Sequence, residues 1–296
     1  MKRRELLQLT ASMGFTAAVF GASGASCAEG DKPLPRPANG QIPVAFLLSN
    51  DAVVIDFAGP WEVFENVELS GPKPHPFQLF TVAESTAPIR ASGGMKIVPE
   101  YTLANAPHPK IVVIPAQSEP SAAVLEWIRR TAKSADLVMS VCTGAFVLAK
   151  TGLLKGKSAT THHGAYAEFA MAFPDIVLER GARYVEVDNL ASSGGLSSGI
   201  DLALRVVERY FGRSVAQATA ANLEYQGLGW TDPKSNAEFA KRPASTADHP
   251  LCPVCDMNVD PNISPTSVYQ GHTYYFCMAG HKKLFDSKPE QFTGAG

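Results

Sequence analysis

From Ile42 onward the chain alternates short aliphatic runs with longer stretches in which apolar residues recur every three or four positions. Residues 42–49 (IPVAFLLS), 77–82, Ile111–Ile114 and Leu137–Val141 are apolar runs of strand length, as expected for strands buried on both faces. Between them, 120–132 (PSAAVLEWIRRTA) spaces Val124, Leu125 and Ile128 as one face of a helix. Residues 60–69 predict a helix opened by Gly59-Pro60, proline being tolerated in a first turn. Further helices are expected at 146–154, 166–173, 200–211 and 215–225. Strand–helix alternation of this kind builds an α/β fold, a mostly parallel sheet with helices on both faces.

The ends break this pattern. Residues 1–28 run from Lys2-Arg3-Arg4 through a short apolar stretch to Ser26-Cys27-Ala28, the order of an export signal. Paired arginines before two leucines predict the twin-arginine route, hence a periplasmic or otherwise exported protein cleaved after Ala28. Lipid anchoring at Cys27 is the alternative, disfavoured by Gly24. The stretch is too short and too rich in small residues for stable membrane insertion. Residues 29–41 read as a Pro-rich linker and 229–247 as a second one. The formal charge of −2 has no basic cluster beside it and excludes nucleic acid as a partner. A helix-turn-helix pattern does not follow the first domain, which argues against a transcription factor.

Apart from Cys27, the cysteines divide into Cys142 alone and a group of Cys252, Cys255 and Cys277. An apolar strand pattern runs into Cys142, and a helical pattern begins with Thr143 and Gly144. That is the layout of a nucleophile elbow, a tight turn exposing one side chain at the carboxyl edge of a sheet. A helix N-terminus is expected to lower the thiol pKa. A buried structural cysteine is the other reading of the same residues. An acid or base near neutral pKa must accompany such a thiol, and a residue of the type of Asp56 or His162 could serve. Asp56 read as a helix cap, and His162 as a satisfied core histidine, are the structural alternatives.

Three motifs carry a resemblance: VVIDFAGPWEVF, SVCTGAFVLAKTGLLKGKSATTHH and ASSGGLSSGIDLAL, within residues 42–228. They resemble the PfpI superfamily that includes the parkinsonism-associated deglycase, and in particular its isonitrile hydratase-like branch. The resemblance implies a flavodoxin-like sandwich, a homodimer, and catalytic roles for Cys142, Asp56, Thr143 and His162. It also implies an oxyanion site at the backbone of Ala116, Gln117 and Thr143, with Pro115-Ala116-Gln117 standing where the family usually has Pro-Gly-Gly. No cofactor is implied for this domain.

At the other end, Cys252-x2-Cys255, a twenty-one-residue spacer and Cys277-x3-His281 form a metal-ligand pattern. Residues 248–296 are too few for a self-sufficient core, so an α+β module stapled by metal is expected, with a Cys252–Cys255 disulfide as the alternative. Soft thiolates, with Met257 and Met278 nearby, favour zinc or copper. CPVCDMNV…VYQGHTYYFCMAGHKKLFDSKPEQF resembles the YHS domain, a heavy-metal-binding module, with His281 where that family has a third cysteine. Taken together, these readings predict a cysteine-dependent hydratase or hydrolase of a small C–N or carbonyl substrate. A non-catalytic metal-binding or sensing protein and a glyoxalase or deglycase are the rivals.

Overall fold

The computed structural model describes residues 32–37, 40–70, 75–241, 245–246 and 248–293. The export-signal reading of 1–28, with Cys27, falls outside them. Seven strands form one sheet: β1 (Ile42–Leu47), β2 (Phe77–Ala83), β3 (Tyr101–Thr102), β4 (Ile111–Ile114), β5 (Leu137–Val141), β6 (Tyr184–Val187) and β7 (Leu190–Ser193). Their order is β6-β7-β5-β4-β1-β2-β3, and every neighbouring pair is parallel except β6 and β7. Alternate strand residues feed opposite layers, which is why the runs are apolar throughout rather than every second residue. Val44, Phe46, Val113 and Met139 enter one core; Ala45, Leu47, Val112 and Val138 enter the other.

Six helices cover the two faces: α1 (Val54–Glu65), α2 (Ala122–Ala132), α3 (Gly144–Lys150), α4 (Tyr166–Ala172), α5 (Ser198–Phe211) and α6 (Arg213–Asn222). Helices α1, α5 and α6 pack on the first core, and α2, α3 and α4 on the second. The helix expected at 60–69 begins earlier, at Val54, and Pro60 lies buried inside it. Its start has no local cap. Instead the Val54 amide donates to the hydroxyl of distant Ser92 at 3.0 Å, and Val53 N–H donates to Ala116 O at 2.8 Å.

The stretch read as a linker at 229–247 contributes to the first core. Trp230 is 3% exposed. Buried Asp201 on α5 accepts from the Trp230 amide (2.9 Å), the Tyr225 hydroxyl (2.9 Å) and Arg183 Nε (2.6 Å). A low aliphatic content concealed an anchor made of one indole and a polar network. Likewise Leu34, within 29–41, is buried and its amide donates to Arg209 O.

Beyond it, an antiparallel hairpin of β8 (Thr266–Tyr269) and β9 (His272–Tyr275) packs with helix α7 (Ala279–Ser287). Their small core is Cys252, Val254, Cys255, Phe276, Phe285 and Phe292, and Met171 of α4 packs against it from the first unit. Among the described residues no helix is long and apolar enough to cross a membrane.

Candidate active site and metal centre

Cys142 follows β5 and sits at φ 59°, a left-handed conformation that costs a non-glycine residue about 1–3 kcal/mol unless the surroundings enforce it. They do. Its amide donates to Gly194 O at 3.0 Å, and its carbonyl accepts from the Thr161 hydroxyl at 3.0 Å. Helix α3 starts two residues on at Gly144, where a β-carbon would run into the carbonyl oxygens of Ile114 and Pro115. Only glycine lets the helix approach β4 so closely.

Asp56, in the first turn of α1, is fully buried beside this elbow. Its Oδ2 accepts from the Ala116 amide at 3.2 Å, while Oδ1 is buried without a hydrogen-bond partner. The pair lies where chains leaving β1 and β4 diverge, the switch point at which open α/β sheets bind ligands. Burial pushes the Asp56 carboxyl up to about 6, against the pull of the Ala116 amide, the Cys142 thiol and the Leu196 amide. Burial, with the Asp56 charge adding to it, pushes the Cys142 thiol up to about 12, although the amides of Thr143 and Leu196 point at its sulfur. The expected low thiol pKa is therefore corrected: desolvation and a neighbouring carboxylate outweigh the helix N-terminus. At neutral pH the site holds a carboxylate and a thiol, with a base poised next to the proton it would take.

The Ala116 amide is engaged by Asp56 and is not free to receive an oxyanion. Gln117 lines a separate cavity of about 160 Å³ with Ser49, Asn50 and Glu84, and its Oε1 is buried without a partner. Thr143 lines a larger cavity, about 880 Å³, together with His162 and His163. His162 Nδ1 accepts from the Gly164 amide at 3.1 Å, which leaves Nε2 as the protonated nitrogen of the neutral ring. Burial first, then the neighbouring His163, holds its pKa below the usual value. The ring packs where any β-carbon on Gly195 would collide with it. His163 stacks on His162 at 4.3 Å and on Phe239 at 4.6 Å.

The same 880 Å³ cavity is also lined by Cys255, Met257, Cys277, Met278 and His281. Cys252, Cys255, Cys277 and His281 bring their ligand atoms within 4.8 Å of one another. Cys255 Sγ and Cys277 Sγ are 3.5 Å apart; His281 Nδ1 is 3.6 Å from Cys252 Sγ and 3.2 Å from Cys277 Sγ. A tetrahedral ion with metal–sulfur bonds of ~2.3 Å has edges of roughly 3.5–3.8 Å; these separations bracket that range, and three thiols with one imidazole are the donor set of a soft cation. The Cys252 and Cys255 turn closes with Asp256 at φ 60° and with Cys252 N–H donating to Met257 O at 2.9 Å. Cys277 precedes α7 rather than lying within it, yet still reaches His281. All the described cysteines are free thiols, and hydrogen bonding from Cys255 pulls the Cys252 thiol down while Cys255 is pushed up.

Residues 43–209 match the model of the DJ-1/PfpI family. The chain belongs to the DJ-1/PfpI family. Among proteins of known description it is 31% identical over 192 residues to isonitrile hydratase of Pseudomonas putida, a match covering 62% of this chain and 78% of that one. It is 25% identical over 190 residues to the transcriptional regulator GbdR of Pseudomonas aeruginosa, covering 62% of this chain but 51% of the regulator. A THiJ/PfpI family protein from Pseudomonas syringae shares the fold with a TM-score of 0.57, at 24% identity over 71% of this chain and 85% of that one.

Within this DJ-1/PfpI unit the structure brings Cys142, Asp56 and Thr143 together, and puts His162 with Thr143 in one cavity wall. Leu196 was not anticipated. At φ 50° it turns its amide toward both Asp56 and Cys142. The Gly194-Gly195 pair before it was the available signal, since a glycine pair marks backbone that must pass close to other groups. Phe239, from the stretch read as a linker, was also missed, and nothing in a low-hydrophobicity segment points to it.

Proposed function

We propose that this protein is an exported, cysteine-dependent hydratase of a small isonitrile or related C–N compound, fused to a soft-metal-binding module of the YHS type. One observation carries the reading: a strained elbow cysteine whose thiol lies beside a buried carboxyl with a pKa near 6. The Cys142 S–H adds across the terminal carbon of R–N≡C. The Asp56 carboxylate takes the thiol proton as the C–S bond forms, and a proton is returned to the substrate carbon, giving R–N=CH–S–Cys. Water then attacks that carbon, the C–S bond breaks, and R–NH–CHO leaves with the thiol restored. The Thr143 and Leu196 amides, aimed at the sulfur, steady it during attack. His162, half-buried in the wall of the cavity beside Thr143, would hydrogen-bond the substrate nitrogen, which stays in the product formamide. Export through residues 1–28 and a homodimer belong to the same proposal.

Cys252, Cys255, Cys277 and His281 would hold zinc or copper(I), which when bound cross-links the C-terminal module. The test is to incubate purified protein with an aliphatic isonitrile and follow formamide by NMR. The expected result is turnover that falls at least a hundredfold in Cys142→Ser; formamide production undiminished in that variant contradicts the proposal.

A second reading, a metal-sensing protein on a non-catalytic scaffold, is favoured by one fact: Cys255, Cys277 and His281 of the metal cluster line the same cavity as Thr143, the residue after the elbow cysteine. It predicts tight metal binding with no formamide.

A further inference from the structure

The C-terminal module sits on α4 of the first unit through groups that converge on the metal cluster. His281 turns Nδ1 to the sulfurs of Cys252 and Cys277. Its other ring nitrogen, Nε2, lies 4.0 Å from Oε2 of Glu168, which belongs to α4. Arg180, whose guanidinium lies 4.8 Å over the Tyr166 ring, reaches Asp256 at 3.7 Å, beside Cys255. An open cleft between the units is lined both by Thr143 and His162 and by Cys255, Cys277 and His281.

A histidine that ligates a metal through one nitrogen almost always gives its other N–H to a carboxylate, carbonyl or water, which fixes the ring and strengthens the ligand. Here the carboxylate within reach is supplied by the other folded unit. We infer that Glu168 is a positioning residue for the metal centre, accepting the Nε2–H of His281, and that metal loading through this contact holds the module against α4, on the cavity it shares with Thr143 and His162. This rests on the Cys/His cluster being a metal site and extends it to the docking of the two units.

The experiment uses the full chain, loaded with zinc under reducing conditions, in competition with a chromophoric chelator. Glu168→Ala is expected to bind zinc about 10–100-fold more weakly. Glu168→Gln, which keeps an acceptor, is expected to recover part of that loss, whereas Glu238→Gln, on the same cavity, is expected to change nothing. Glu168 is half exposed, so these variants retain the fold, checked by circular dichroism. In parallel, hydrogen exchange read by mass spectrometry follows α4 (Tyr166–Ala172), on which the module packs. Zinc is expected to slow exchange there several-fold in the wild type and not in Glu168→Ala. Wild-type zinc affinity in Glu168→Ala, or a zinc effect on this exchange that survives in it, overturns the inference while leaving the metal site standing. Failure of the wild type to bind zinc or copper(I) at all overturns the metal site itself and the inference with it.

Discussion

The amide of Ala116 donates to Oδ2 of Asp56 at 3.2 Å, tying the loop after β4 to the first turn of α1 directly beside Cys142. The bond fixes which oxygen of the carboxyl is occupied, leaving Oδ1 as the buried acceptor without a partner. The same bond gives up Ala116 as an oxyanion donor.

Asp56 leaves a mark on stability. Its folded pKa of about 6 lies above the 3.8 of the free side chain, so the folded state holds the proton more tightly between those values. The stability this contributes is complete below about pH 4 and is lost as pH rises through 6. Asp56→Asn has no such titration. Melting curves from pH 4 to pH 7.5 should show the variant gaining on the wild type through this window, by on the order of 3 kcal/mol. A constant difference would mean that Asp56 is not a buried carboxylate.

The Cys142 thiol, held up to about 12, should alkylate more slowly at pH 8 than a free cysteine. The rate at Cys142, followed by peptide mass spectrometry with iodoacetamide, checks this statement.

Much of this was legible in the sequence, for identifiable reasons. Ile111–Ile114 and Leu137–Val141 are strands because both faces are buried, and uninterrupted aliphatic runs announce that. Gly144 after Cys142 announced the elbow. The start of α1 was not legible, because its capping hydroxyl comes from Ser92, far along the chain. The thiol pKa was misjudged because a helix terminus is visible in sequence whereas burial beside a carboxylate is a tertiary fact. The meeting of Glu168 with His281 is likewise created only by the docking of two units.

Trp230 tests the revised role of the stretch after α6. Its indole is buried in the first core, and its amide donates to Asp201. Trp230→Ala should destabilise the first unit by about 3–5 kcal/mol, read from chemical denaturation. A loss under ~1 kcal/mol would return the segment to linker status.

Metal removal should act locally. Binding energy at the four ligands is folding energy for a module whose core is six side chains. A chelator should make residues 248–293 protease-sensitive while the sheet domain keeps its melting transition. Cys277→Ser should reproduce that sensitivity, and His281→Cys should retain metal. Limited proteolysis read by mass spectrometry distinguishes the cases, and a module that stays resistant without metal would contradict the account.

In the proposed hydration the Asp56 carboxylate serves as base to the Cys142 thiol. The most direct test is the pH dependence of kcat/KM for formamide formation from an aliphatic isonitrile, in wild type and Asp56→Asn. The wild-type rate should climb as Asp56 ionises, with an apparent pKa near 6, and the variant should have lost both this limb and at least a hundredfold in rate. An unchanged profile in Asp56→Asn, or no formamide from the wild type at any pH, would contradict it.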